Sequence, residues 1–223
     1  MTMISDQLEA VRDRMLKASL RVDRRADDVR LVAVSKKVDV DRIRSAAAAG
    51  VRDFGENYIQ EARGKIETLP DTLRWHMIGH LQINKIKYVQ RLFDYVHSVD
   101  RQELLDGLEK LGKPLNLLFE VNLSGEPQKH GTTVDGLKRM LESVGSLRSV
   151  KPVGLMTMAP YTDKPEEVRH LFADLRRLLE EVNRQFSLEM KELSMGMSSD
   201  FEVAIEEGAT MVRIGTAIFG ERI

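Results

Sequence analysis

Eight times along this chain a short apolar or β-branched run gives way to a stretch with helical spacing, and few folds accommodate that alternation. The runs fall at 31–35, 53–56, 73–79, 95–99, 115–123, 152–156, 192–196 and 211–215. Between them lie amphipathic segments such as Val40, Ile43, Ala46, Ala47 and Leu171, Leu175, Leu178, Leu179, Val182, which repeat with the period of a helix. Strand followed by helix argues for a parallel sheet covered by helices. Eight such units within ~190 residues argue for an α/β fold closed into a single (β/α)8 TIM barrel, somewhat smaller than the usual ~250 residues. Leu8, Val11, Met15 and Leu16 mark an extra N-terminal helix. The rival is an open doubly wound sheet, which usually carries a glycine-rich phosphate loop after its first strand. Here that turn reads SKKVDVD and has no glycine. No linker, low-complexity tract or internal repeat divides the chain, so residues 1–223 are expected to form one domain.

The 34 basic and 35 acidic residues leave no net field to attract nucleic acid or an anionic membrane. The absence of cysteine removes disulfides, thiolate metal sites and cysteine nucleophiles together. Only His76 and His80 lie close together among the five histidines, and they should not share a face, so no metal site is expected. The N-terminal segment carries charges throughout, unlike a signal peptide. Nothing approaches the roughly 18 uninterrupted apolar residues of a membrane helix. The expectation is a soluble, cytoplasmic monomer.

A barrel of this kind gathers its chemistry at the carboxyl ends of its strands. Lys36 sits at the end of the first. Alternation puts Val32, Val34 and Lys36 on one face and turns Lys37 away. An amine against an apolar wall loses hydration, its pKa falls, and it becomes a nucleophile able to form a Schiff base with an aldehyde. The plainer reading is a strand-end lysine that reaches to water.

The last two strand ends supply hydroxyls and glycines. SMGMSSD at 194–200 places Ser198 and Ser199 after the seventh strand, with Ser199 or Asp200 positioned to cap the helix that follows. Gly215 and Thr216 follow the eighth strand and begin a short helical turn. Backbone amides and hydroxyls at such loops hold anions, and barrels often bind phosphate there; ordinary capping and turn chemistry is the alternative. If Val212 and Ile214 face the helices, Arg213 projects into the barrel, where its charge needs an acceptor: Glu56, Glu120 or a ligand. A lysine, a phosphate cradle and an inward arginine suit an aldehyde that carries a phosphate. Pyridoxal 5′-phosphate (PLP) fits, with its aldehyde at Lys36, its phosphate at Ser198, Gly215 and Thr216, and its ring nitrogen at Arg213. A Schiff-base aldolase acting on a phosphorylated sugar is the reading outside PLP.

Several long motifs occur in order: AVSK at 33–36, FGENYIQE at 54–61, RWHMIGHLQINK at 74–85, HSVD at 97–100, EPQKHG at 126–131, GLMTM at 154–158, SMGMSSDFEVAI at 194–205 and VRIGTAIFG at 212–220. In these the chain resembles the pyridoxal phosphate homeostasis proteins. The resemblance implies a fold-type III PLP barrel similar to the N-terminal domain of alanine racemase, with the cofactor on Lys36. It carries Ser198, Arg213, Gly215 and Thr216 over as cofactor contacts, and Asn57 as a residue of the cavity. Ser199 completes the serine pair. Lys129 matches a lysine of the family without an assigned role, and His80 is not carried over. The implied function is to hold and release PLP inside the cell, with apo PLP-enzymes as recipients and no robust catalysis. An arginine opposite the ring nitrogen keeps that nitrogen unprotonated and weakens it as an electron sink. The second base that alanine racemases place on a further C-terminal domain is also not in this sequence, though Tyr58 and Tyr161 are substitutes by location. A low-activity PLP-dependent amino acid racemase or lyase is the alternative.

Overall fold

The computed structural model describes residues 3–126 and 128–221, and in it eight parallel strands close into a barrel in sequence order. The strands are Arg30–Val34 (β1), Asp53–Glu56 (β2), Arg74–Met77 (β3), Tyr95–Val99 (β4), Leu115–Glu120 (β5), Val150–Met156 (β6), Glu192–Ser194 (β7) and Met211–Ile214 (β8). Around them run Ile4–Leu20 (α1), Val40–Ala48 (α2), Ile59–Ile66 (α3), Ile86–Leu92 (α4), Gln102–Glu109 (α5), Val134–Leu141 (α6), Arg169–Phe186 (α7), Phe201–Glu206 (α8) and Thr216–Phe219 (α9). The barrel and its additional first helix are those expected from the periodicities. Of the EPQKHG stretch, Pro127 lies outside the described residues.

Strands β3, β5 and β7 stop short of the apolar runs that announced them, at Met77, Glu120 and Ser194. The residues beyond each end turn into loops at the barrel mouth. Gly196, with φ of 90°, shows why the seventh run cannot stay extended: it adopts a left-handed conformation that favours glycine. A Cβ there would also lie 2.6 Å from the Ala204 Cβ, so the loop packs directly on α8.

Alternation along the strands sorts side chains into two environments. Ala33, Phe54, Leu117, Leu155, Val212 and Ile214 join the apolar layer between barrel and helices. Val32, Val34, Leu118, Met156 and Met211 are buried but lie outside that layer. Val32 is in register with Asp53 on β2 and with Arg213 on β8, so these three side chains share the barrel interior. The helix α1 is fastened to the outside of the barrel, where Arg14 donates to both carboxylate oxygens of Glu202 on α8. Among the described residues no helix is long and apolar enough to cross a membrane.

Candidate functional site

A turn directly after β1 separates the two adjacent lysines. The Ser35 backbone N–H donates to Gly55 over 2.9 Å and carries the ladder one residue past β1. The Ser35 hydroxyl donates to Glu56 Oε1 at the end of β2 over 2.7 Å. Lys65 on α3 joins that cluster, its Nζ donating to Ser35 O at 2.6 Å, Glu56 at 2.9 Å and Glu61 at 2.6 Å. Burial pushes the Glu56 carboxyl above its ordinary range, and hydrogen bonds from Ser35 and Lys65 oppose that. Lys36 follows at the first central position of a turn closed by the Val38 backbone N–H donating to Ser35 O at 3.0 Å, and it is half-buried. Lys37 is exposed, holds φ of 58°, and donates its backbone N–H to the Glu61 carboxylate.

The loops after β7 and β8 meet. The Thr216 hydroxyl donates to Ser198 Oγ over 3.4 Å, and the Ala217 backbone N–H reaches the same oxygen over 3.4 Å. Ser199 is half-buried in the same loop. The expected cap of α8 takes a different form. Asp200 occupies the N-cap position but makes no side-chain hydrogen bond to the helix. Its carboxylate turns back and accepts the Met197 backbone N–H at 2.5 Å, which pins the serine loop.

Arg213 is buried in the barrel interior, and neither Glu56 nor Glu120 is its hydrogen-bond partner. It donates Nη1–H to Ser194 Oγ at 2.6 Å and Nη2–H to Thr157 O at 2.9 Å. Burial lowers its pKa to about 10, with Asp200 and Glu120 opposing the shift, so it remains a cation at neutral pH. From Ser194 a row of buried polar side chains crosses the barrel: His97 Nδ1 at 2.9 Å, then His97 Nε2 to His76 Nδ1 at 2.9 Å, then His76 Nε2 to Asp53 Oδ1 at 3.0 Å.

On the other side of the mouth a cavity of about 410 Å3 is lined by Asn57, Tyr58, Gly79, His80, Glu120 and His130, among others. Asn57 Oδ1 is buried without a hydrogen-bond partner among the described residues. A Cβ on Gly79 would lie 2.6 Å from the Asn57 backbone oxygen, so only glycine lets β3 approach so closely. Glu120, at 3 % exposure, has its pKa raised to about 7 by burial and by the neighbouring Asp100, with Arg213 opposing.

The seven residues singled out in the sequence therefore gather on four consecutive strands. Ser198 and Ser199 follow β7; Arg213, Gly215 and Thr216 belong to β8 and its end; Lys36 follows β1; Asn57 follows β2. Residue pattern alone did not single out His76 and His97 as a pair, because strand order in space brings them together. Nor did it find His80, Asp100 and His130, whose ligand-type atoms lie within 4.8 Å of one another. The two imidazoles there are stacked at 4.2 Å, and Arg101 pairs with Asp100. Tyr58 is exposed at the cavity rim, and Tyr161 is exposed with its hydroxyl on Asp163. Lys129 is paired with Glu126 at 2.6 Å.

This donor set fits a phosphorylated aromatic aldehyde. Two hydroxyls and a backbone amide meet at one strand end, a buried guanidinium uses two of its five N–H groups among the described residues, and a primary amine projects from the neighbouring strand.

A family model described as "Alanine racemase, N-terminal domain" matches residues 7–223. A pyridoxal phosphate homeostasis protein of Aquifex aeolicus is 44% identical over 222 residues, covering 97% of each chain. One from Pseudomonas aeruginosa is 42% identical over 227 residues, covering 100% of this chain and 97% of its own. The structure of PipY of Synechococcus elongatus PCC7942 with PLP bound superposes with a TM-score of 0.85 at 38% identity, covering 97% of this chain and 100% of that one.

Proposed function

Because the chain belongs to the alanine racemase N-terminal domain family, and within it to the pyridoxal phosphate homeostasis proteins, we propose that it binds PLP, holds it on Lys36 and releases it to apo PLP-enzymes in the cytoplasm. The single observation that carries this reading is the convergence of Lys36, Arg213, Ser198, Thr216 and Asn57 at the carboxyl ends of four neighbouring strands. PLP supplies an aldehyde that condenses with a primary amine. The protein's part is to present that amine and to hold the rest of the molecule. Ser198, Ser199, Thr216 and the amides that follow Gly215 are the donors for a phosphate. Arg213 is the donor for the ring nitrogen, and its charge disfavours a proton there. Asn57 offers a buried oxygen with no partner of its own. The whole of 1–223 serves this one site, as a monomer.

Lys36 is half-buried rather than sealed in the barrel, which leaves its amine a route to solvent and supports exchange. Mixing the loaded protein with an apo PLP-enzyme tests delivery: activity should return faster than with the same concentration of free PLP. Return at the free-PLP rate or slower would limit the role to storage.

A second reading, slow racemisation or elimination of amino acids, is favoured by Glu120. This buried carboxyl faces the mouth cavity with its pKa near neutrality, where a group exchanges protons most readily.

A further inference from the structure

The buried polar row inside the barrel has only one fully satisfied arrangement of protons. Asp53 accepts Nε–H and Nη2–H from Arg74 at 2.9 and 2.7 Å, in the two-pronged geometry of an ion pair. Burial works against its charge, but hydrogen bonds from His76 and Arg74 outweigh that and keep its pKa below the ordinary carboxylate value. An ionised Asp53 requires His76 to donate Nε2–H. A neutral His76 then accepts at Nδ1, which requires His97 to donate from Nε2. A neutral His97 in turn accepts at Nδ1, which requires the Ser194 hydroxyl to donate, and this leaves the serine lone pairs for Arg213 Nη1–H. Reversing the row strands the serine proton and faces an unprotonated nitrogen toward a carboxylate. Both imidazoles are fully buried, and burial lowers the pKa of each, that of His97 further because His76 and Arg213 lie beside it. Tyr95 stacks on His76 at 4.4 Å and fixes its plane.

We propose that Asp53, His76, His97 and Ser194 form a one-directional hydrogen-bond relay that positions Arg213, so that the Arg74–Asp53 pair at the amino end of the barrel fixes, through Ser194, where Arg213 presents its other N–H groups to a ring nitrogen at the mouth. The four are positioning residues: they act through Arg213. In a low-dielectric interior, hydrogen bonds in series strengthen one another, so the ionised Asp53 makes Ser194 a better acceptor for Arg213 Nη1–H and holds the guanidinium in one orientation. The inference rests on the PLP reading only for the identity of the acceptor; the direction of the relay rests on the protein alone.

Two measurements test it. The first uses the cofactor-free native protein and long-range proton–nitrogen NMR of the histidine rings. The relay requires both His76 and His97 to be neutral with the proton on Nε2; a proton on Nδ1 of either ring overturns it, whatever the protein binds. The second compares affinity for PLP with that for its 1-deaza analogue, in which C–H replaces the ring nitrogen. The native protein should prefer PLP by about ten- to hundredfold, the range of one charge-assisted hydrogen bond. Ser194→Ala, which removes the acceptor that orients Arg213, should lower that preference by about tenfold while the analogue binds nearly as before. An unchanged preference in the folded variant overturns the relay and leaves the PLP reading standing. Absence of PLP binding by the native protein overturns both.

Discussion

Ser198 Oγ and Thr216 Oγ1 lie 3.4 Å apart across two neighbouring strand ends, with the Ala217 backbone N–H directed at the same serine oxygen. Three donors from two loops thus meet at one point, although eighteen positions of sequence separate the two hydroxyls.

Ser198→Ala and Thr216→Ala should each weaken PLP retention by about 1.5–3 kcal/mol, the worth of a hydrogen bond to a charged group. Pyridoxal without its phosphate should bind far more weakly to the native protein and respond little to either change. Equilibrium titration of both ligands checks this, and equal losses for the two would mean that the loops act through folding.

Glu120→Gln should alter the pH dependence of stability. The Glu120 pKa is raised from 4.5 to about 7 in the folded protein, chiefly by burial. Between those values the folded state binds more protons than the unfolded one, so this carboxyl's contribution is complete below the unfolded pKa and is lost as pH rises through about 7. The glutamine variant mimics the neutral acid. It should match the native protein near pH 4.5 and exceed its stability by up to roughly 3 kcal/mol at pH 8. Denaturant unfolding of the cofactor-free protein at both pH values measures this, and a difference independent of pH contradicts it.

The buried cluster behind Lys36 makes a different demand. Lys65→Met removes the cation from Glu56, whose side chain is fully buried. An uncompensated buried carboxylate costs about 3–5 kcal/mol. The loss should be greatest at alkaline pH and shrink in acid, where a proton neutralises Glu56. Unfolding free energies at pH 5 and 8 decide between this and a surface pair that contributes little.

The barrel was legible because its cause is local. Each strand run and each helical stripe is written in consecutive residues, and alternation alone placed Val32 and Arg213 on one face. Glycines at 196 and 215 and the hydroxyls at 198 and 216 were legible for the same reason. What escaped notice depends on closure. His76 and His97 come from adjacent strands, but their partner Ser194 comes from the far side of the barrel, and no spacing in the sequence encodes that meeting. Asp200 illustrates a smaller limit. Its position before an apolar helical run signals a cap, yet burial of its carboxylate against the Met197 amide redirects it into the loop.

Turnover of amino acids should be slow or absent. Arg213 opposes protonation of the ring nitrogen, and Tyr58 and Tyr161 are both exposed. Incubating the loaded protein with single L-amino acids in deuterium oxide, and following Cα-proton exchange and D-isomer formation, measures this. Rates on the order of 1–1,000 per second, ordinary for enzymes, would promote Glu120 from a buried acid to a catalytic one. Loss of that activity in Glu120→Gln would identify it.

The most direct test of the account asks which lysine holds the cofactor. Lys36 is half-buried in the turn after β1, while Lys37 is exposed with a left-handed backbone. Loading the protein with PLP, reducing it with borohydride and mapping the peptides by mass should bleach the visible band and place the pyridoxyl group on Lys36. A pyridoxyl group on Lys37 with Lys36 unmodified, or no lysine adduct at all, would contradict the assignment of the site.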